Sequence, residues 1–383
     1  MPWRTRSIMD QRRRFVVEAD KVSANISELC RRYDVSRTTG YRWIKRFDKD
    51  RSFQSLVDRS SRPRHSPSRT SGELEERVLA LRRAYGWGAR KLAVLLQREG
   101  RPLPEITIHR ILKRNGMIEK SKSHPPALQR FEREAPNQLW QMDYKGPYPF
   151  LGGVCHPLSI LDDHSRYAVG LHALTDQRGV SVHAALVRTF LEHGLPDAML
   201  MDRGTPWYSG TNAHGLTWVS VALLKQGIRL YTGAPRHPQT QGKVERFNRT
   251  LSDAVRHRGR AGDIRGWRRL FADFRLEYND VRPHEALKMA VPATRYRPSS
   301  RSYNPHPPEW EYPAGSVVLR LNTQGCMDYK NRRWFVCEAL AGERVRVDEA
   351  NGLYLVTFRN TAVREIDART GSTRALVLPL EEL

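Results

Sequence analysis

The sequence predicts a multidomain chain: all-α modules in front, a central α/β core on a mixed sheet, and a small β-barrel at the C-terminal end. Three observations carry this. Basic charge concentrates in the first third, where apolar residues keep helical spacing. From about Leu139, short apolar runs alternate with helical stretches, as in a sheet covered on its faces. Beyond a proline-rich stretch the chain breaks into short β-rich segments separated by turn residues.

A length of 383 residues implies several domains. With 39% hydrophobic residues, 9 Trp, 14 Tyr and 11 Phe, the chain can fill real cores. Its 65 Lys and Arg against 41 Asp and Glu leave a net charge of +24, which implies a polyanionic partner. Residues 1–133 hold 32 basic and 15 acidic side chains, so most of the excess lies there. Cys30, Cys155, Cys326 and Cys337 form no CxxC pair and suggest neither a disulfide framework nor a zinc knuckle. The opening MPWRTRSIMDQRRRF lacks the apolar core of a signal peptide, and no apolar run is long enough to span a membrane. An intracellular protein with no membrane partner is expected.

Segments rich in Ser, Pro and basic residues, Arg59–Arg69 and Lys120–Pro126, read as linkers, as does the proline-rich Arg297–Pro313. They divide the chain into modules at 1–58, 70–119, 134–297 and 310–383.

In the first module, Ile26 to Phe47 reads as two short helices joined by a tight turn. Ser27 is the expected cap of one, with Leu29, Cys30 and Tyr33 inward; Ser36 caps the other, which buries Ile44 and Phe47. This pattern resembles the helix-turn-helix at the front of many bacterial transposases. The resemblance puts Arg37, Thr38, Thr39, Tyr41 and Arg42 on the helix that enters the DNA major groove. Asp34 stands in the turn, where left-handed backbone is tolerated by Asp. Gly40 lies inside the second helix at a cost of roughly 1 kcal/mol relative to Ala. An ordinary helical hairpin with a basic exterior is the alternative. The second module repeats the theme: Gly86–Leu96 gives one helix and Thr107–Gly116 another, with Ile108, Ile111 and Leu112 inward. His109, Arg110, Lys113 and Arg114 occupy its other face as DNA contacts. Two tethered modules grip a longer DNA site than one.

In the central region Leu139–Tyr144, His156–Leu161, Tyr167–Ala173 and Ala198–Met201 read as strands. Val180–Glu192, Trp218–Gln226, Gly242–His257 and Gly266–Asn279 read as helices. Asp143 ends the first strand and Asp202 follows the last; strand ends are where catalytic groups gather in such sheets. Glu245 falls in the first turn of a helix whose inward stripe is Val244, Phe247 and Leu251, with Asn248 and Arg249 one turn on.

Trp140-Gln-Met-Asp143, Met201-Asp-Arg-Gly204 and Pro238-Gln-Thr-Gln-Gly-Lys-Val-Glu245 resemble the three catalytic blocks of the retroviral integrase and bacterial insertion-sequence transposase superfamily. Tyr278-Asn-Asp-Val-Arg-Pro-His-Glu-Ala-Leu287 resembles a further motif of the bacterial branch. The resemblance implies an RNase H-like core with Asp143, Asp202 and Glu245 as the DDE catalytic and metal-binding acids. It implies a transposase that binds the terminal inverted repeats of its own element, cuts the ends and joins them to target DNA. The second and third acids are 43 residues apart, longer than in many relatives, and the excess reads as a loop insertion over Pro206–Thr217. Arg203 stands where asparagine is common in the family.

Carboxylates suit this chemistry. Attack on a phosphodiester needs an activated oxygen nucleophile and charge relief on the leaving oxygen, and two Mg²⁺ (or Mn²⁺) ions per active site supply both. Such hard cations take oxygen ligands. Asp143 is the expected bridging ligand, with Asp202 on one ion and Glu245 on the other. Asp162-Asp163-His164 is a rival metal site on residue type, or a turn between two strands. His237 and Lys243 either meet DNA phosphates or serve the loop, and Asn248 and Arg249 are further DNA-contact candidates.

The expected C-terminal strands lie at Ser316–Leu321, Arg333–Cys337, Arg344–Val347 and Tyr354–Phe358. By family analogy the working form is a homo-oligomer on double-stranded DNA, in a bacterial cytoplasm and associated with the nucleoid. A recombinase that forms a protein–DNA ester, or a non-catalytic DNA-binding regulator, are the competing classes; metal chelation separates the first and strand joining the second.

Overall fold

The structure is a computed structural model and describes residues 7–60, 70–118, 132–202, 204–209, 215–232 and 242–376. The chain forms two compact units, Met1–Thr70 and Ser71–Leu383.

The first unit holds α1 (Ile8–Ala19), α2 (Ile26–Arg32) and α3 (Arg37–Asp50), with a 3-10 turn at Phe53–Leu56. Phe15, Val16, Leu29, Cys30, Trp43, Phe47 and Leu56 form its core. Helix α1 was not expected, because the run Arg12-Arg13-Arg14 interrupts any apolar stripe and only Phe15 and Val16 are buried. The cap of α2 is Asn25 rather than Ser27: its Oδ1 accepts from the Ser27 and Glu28 amides at 3.1 and 3.3 Å. Ser36 caps α3 as expected, accepting from the Thr39 amide, and Asp34 is left-handed with φ 51°. Gly40 has a packing reason. A Cβ there would lie 2.5 Å from Cys30 Sγ and 2.9 Å from the Phe15 ring, so glycine lets α3 sit close on its neighbours.

The second unit opens with α4 (Gly72–Tyr85), α5 (Ala89–Arg98) and α6 (Glu105–Arg114), packed around Leu92, Leu96, Ile108, Ile111 and Leu112. One helix more than expected, α4, completes this module. The central strands are β1 (Trp140–Tyr144), β2 (Tyr148–Phe150), β3 (Gly153–Asp162), β4 (Ala168–Leu174) and β5 (Ala198–Met201), with α7 (Gly179–His193) between β4 and β5. The hairpin pair β6 (Tyr208–Ser209) and β7 (Gly215–Leu216) follows, then α8 (Trp218–Lys225), β8 (Arg229–Thr232), α9 (Gly242–Arg258) and α10 (Ile264–Leu276). The stretch read as a loop insertion therefore carries a two-stranded ladder.

The sheet runs β4-β3-β1-β5-β8, with β2 on the far end of β3. Strand β3 pairs antiparallel with its neighbours, whereas β1, β5 and β8 are parallel, so the sheet is mixed as expected. This is the RNase H-like arrangement. Side chains alternate across it. Trp140 and Met142 of β1 pack with Val182, Leu186 and Phe190 of α7 on one face. Gln141 and Asp143 turn to the other, where α9 lies. That second face is closed by Phe247 and Leu251 of α9 and Trp267 and Phe271 of α10 against Leu161, Ala168 and Leu171.

Beyond the linker lie β9 (Val317–Arg320), β10 (Cys326–Tyr329), β11 (Arg332–Phe335), β12 (Arg344–Ala350), β13 (Leu353–Phe358), β14 (Thr361–Asp367) and β15 (Thr373–Ala375). The expected small barrel is not closed. Among the described residues the strands form an open sheet, β15-β14-β13-β12-β9, beside a separate β10-β11 hairpin. The hairpin and the sheet bury Met327, Val345, Val356 and Ile366 between them, together with Val221 and Leu224 of α8.

Candidate active site

Parallel pairing of β1 and β5 sets the first two acids. Trp140 pairs with Met199 and Gln141 with Leu200. Both strands then end, β1 just past Asp143 and β5 at Met201, directly before Asp202, so the two carboxylates leave the same end of adjacent strands.

Each carboxylate has its own support. Asp143 Oδ2 accepts from Asn248 Nδ2 at 2.8 Å, and Asn248 Oδ1 accepts in turn from Ser159 Oγ at 2.7 Å. Since the hydroxyl donates to the amide oxygen, the amide NH₂ must face Asp143. Asp202 Oδ1 accepts from Trp207 Nε1 at 2.8 Å and from the Gly204 amide at 3.1 Å. A Cβ on Gly204 would lie 3.0 Å from both Asp202 oxygens, so a larger residue there would press on the carboxylate. Trp207 is buried and stacks on Tyr144 with centroids 5.4 Å apart, tying Asp202 to the residue after Asp143.

Glu245 is exposed in the first turn of α9. The start of that helix is pinned to the sheet. The Val244 amide donates to Gln141 Oε1 at 3.2 Å, and Gln141 Nε2 donates to Asp163 Oδ1 at 2.8 Å. Lys243 Nζ lies 2.5 Å from the same Asp163 oxygen. Burial is the main reason the Lys243 ammonium titrates low, at about 8, with Asp163 opposing the shift.

The three acids share one electrostatic field. The Asp143 carboxyl is pushed up to about 6, first by burial and next by the charge of Asp202; Glu245 adds a smaller push, and the Asn248 hydrogen bond opposes it. Among the described residues no three His, Cys, Asp or Glu side chains close on one point tightly enough to ligate an ion. The acids face one another without converging.

The other expected site residues divide. Asn248 is 5% exposed and bonded within the protein, which removes it as a DNA contact and makes it a support for Asp143. Its spacing carried the signal, since it is four residues after Val244 on the buried stripe. Lys243 is likewise turned to Asp163 rather than outward. His237 and Arg203 lie outside the described residues. Asp162 and Asp163 form the turn after β3 with every oxygen drawn inward: Asp162 accepts from the Asn137 amide at 2.7 Å and from Ser165, Asp163 from the Arg133 amide at 2.8 Å. Arg37, Thr38, Tyr41 and Arg42 are exposed on α3; Thr39 is partly buried, its hydroxyl 2.9 Å from Ser36 Oγ. His109, Arg110 and Lys113 are exposed on α6, Arg114 pairs with Glu75, and Arg249 is exposed on α9. Trp207, Gln141 and Ser159 were not singled out in the sequence.

Models of the integrase core domain match residues 133–238 and 226–292. A helix-turn-helix domain model matches residues 11–64 and a homeodomain-like domain model residues 39–112. An uncharacterized 31.7 kDa protein of insertion element IS407 from Burkholderia multivorans is 25% identical over 63% of this chain and 85% of its own length. An uncharacterized 39.2 kDa protein of insertion element IS476 from Xanthomonas euvesicatoria is 24% identical over 60% of this chain and 67% of its own length. The Gag-Pol polyprotein of baboon endogenous virus is 22% identical over 52% of this chain and 12% of its own length. Among solved structures, the HTLV-2 integrase catalytic core domain in complex with magnesium aligns with TM-score 0.34 and 14% identity, covering 43% of this chain and 99% of that one.

The protein is a helix-turn-helix chain with an integrase core. The three acid-bearing blocks lie within the residues that the integrase core models match, and the relatives named above are insertion-element proteins and a retroviral polyprotein. No helix among the described residues is long and apolar enough to cross a membrane.

Proposed function

We propose that this chain is a DDE transposase that binds the terminal inverted repeats of its insertion sequence, cuts the DNA ends and transfers them into target DNA, working as a homo-oligomer. The observation that carries the reading is geometric: parallel pairing of β1 and β5 brings Asp143 and Asp202 out at the same strand ends, and α9, which presents Glu245 in its first turn, bonds Asp143 through Asn248. Three acids from three elements oppose one another there, and a shared cation relieves that repulsion.

The three acids fit Mg²⁺ or Mn²⁺, two ions per active site, because they offer hard carboxylate oxygen. Asp143 would bridge the pair, Asp202 would hold one ion and Glu245 the other. Bound there, such ions supply an activated oxygen nucleophile and charge relief on the leaving oxygen. The chain's own part is positioning. Asn248 fixes Asp143 through Oδ2. Trp207 and Gly204 hold Asp202 through Oδ1 and leave Oδ2 for a ligand. The Gln141–Asp163–Lys243 contacts fix the turn that presents Glu245. The exposed basic faces of α3 and α6 supply the DNA grip, and the first 133 residues carry most of the net charge for it.

A strand-transfer assay with labelled duplexes from the element's ends tests this. With Mg²⁺ the wild-type chain joins ends to a target plasmid; Asp143→Asn binds the same duplex within about threefold yet yields no joined product. Joining in excess EDTA, or by Asp143→Asn at the wild-type rate, contradicts the reading.

A further inference from the structure

The second helical module is seated on the core beside the helix that carries Glu245. Arg98 Nη1 donates to the Val281 carbonyl at 3.0 Å, and His257 Nε2 lies 2.7 Å from the Arg83 carbonyl. Gly86, at φ +69°, rests on the same imidazole, where a Cβ would come within 3.1 Å.

At this junction the charges do not balance. Arg90 and Lys91, in the first turn of α5, approach Glu285 at 3.8 and 3.9 Å, too far for a firm hydrogen bond. Lys91 also feels Arg282 and Arg246, and Arg246 is the residue after Glu245. Arg282 packs its guanidinium over the Tyr278 ring at 5.7 Å, and its buried Nε has no hydrogen-bond partner among the described residues. Glu277, the other acid near Arg282, is already engaged by Arg258. Four cations from two modules therefore gather at this seam, with Glu285 the acid that Arg90 and Lys91 approach. Lys91 is largely buried as well, and burial followed by the Arg282 charge holds its ammonium down at about 8. An arrangement that holds four like charges at a half-buried seam is unfavourable for the fold by itself and favourable for an anion placed among them.

We infer that Arg90, Lys91, Arg246 and Arg282 form a binding site for phosphates of the DNA backbone, spanning the seam between the second helical module and the catalytic core. The inference rests on the transposase reading and adds the path of the duplex: held by the exposed face of α6, it crosses these cations to reach Glu245.

The test measures anisotropy of a labelled 40-bp random-sequence duplex with the full chain over a range of KCl concentrations, alongside thermal melts. Arg90→Gln/Lys91→Gln should weaken duplex binding about tenfold or more and lower the slope of log K against log[KCl] by about 1 to 2, as each phosphate contact contributes roughly 0.9. Its melting temperature should stay level or rise, because repulsion is removed. Glu285→Gln, which deletes the acid set against Arg90 and Lys91, should bind the duplex more tightly than wild type, an outcome that damage to the fold would not produce. The inference is overturned if the double variant keeps the wild-type slope, if it melts well below wild type while Glu285→Gln gains no affinity, or if inorganic phosphate protects the wild-type chain as well as duplex does. A wild-type chain that binds no duplex at all would sink the transposase reading itself, and is told apart from these by the wild-type titration alone.

Discussion

Asp143 and Asp202 are separated by the same offset, 59 residues, that pairs Trp140 with Met199 and Gln141 with Leu200 in the parallel ladder of β1 and β5. Continuing that register sets the two acids side by side where the strands end. Their spacing in the sequence is thus a consequence of strand pairing, and the repulsion that adds to burial in raising the Asp143 carboxyl is built into the sheet.

That repulsion has a definite pH signature. Asp143 titrates at about 6 against an ordinary 3.8, so the folded chain holds this proton where the unfolded chain has released it. Its contribution is fully present below pH 4 and is lost as pH rises through 6, a loss of roughly 1–3 kcal/mol after allowing for partial exposure. Asp143→Asn should therefore melt higher than wild type at pH 7.5 without metal. Mg²⁺ should raise the wild-type melting temperature there and leave the variant unmoved, and Mg²⁺ affinity should climb about tenfold per pH unit below 6 and then level off.

Trp207 acts on Asp202 through one N–H. Trp207→Phe keeps an aromatic ring against Tyr144 and removes the donor. Strand joining should fall about tenfold while the melting temperature drops by a few degrees at most. Wild-type joining rates in this variant would show that the indole only fills space.

The Asp163–Lys243 pair is asymmetric: Asp163 is fully buried, whereas the Lys243 side chain is 16% exposed. Lys243→Met strands a buried carboxylate and should cost roughly 3 kcal/mol. Asp163→Asn leaves an ammonium that can turn to water, and should cost less. Chemical denaturation of both variants checks the order.

Gly40→Ala goes against helix propensity. Alanine is the better helix former by about 1 kcal/mol, yet its methyl would meet Cys30 Sγ at 2.5 Å. A net loss of roughly 1–3 kcal/mol in the first unit is expected from overpacking, read from the melting of that unit.

Much of this was legible in the residues, and the exceptions have physical reasons. Strands β1, β3, β4 and β5 announce themselves by short, mostly apolar runs because the sheet is covered on both faces. β8 escaped notice because Arg229-Leu-Tyr-Thr232 is short, and its strand character comes from pairing with β5. Helix α1 was hidden by its arginines, three of which stand in a row before its two buried residues. The acids could be found because motif and strand ends agreed. Asn248 was named with Arg249 as a DNA-contact candidate one turn on from Glu245; its place on the stripe of Val244, Phe247 and Leu251 is what points inward. Trp207 and Ser159 act through tertiary contacts that no local pattern encodes. Closure of the C-terminal sheet could not be read from strand count: its apolar face is covered by Met327 and Trp334 of the β10-β11 hairpin and by Val221 and Leu224 of α8.

The central claim is that Asp143, Asp202 and Glu245 hold one metal site between them. Titrating Mn²⁺ into the wild-type chain bound to a duplex end, with the bound ions counted by electron paramagnetic resonance, tests it most directly. Two ions per active site are predicted, with at least one lost in each of Asp143→Asn, Asp202→Asn and Glu245→Gln. Full wild-type occupancy in any one of the three variants would contradict the claim.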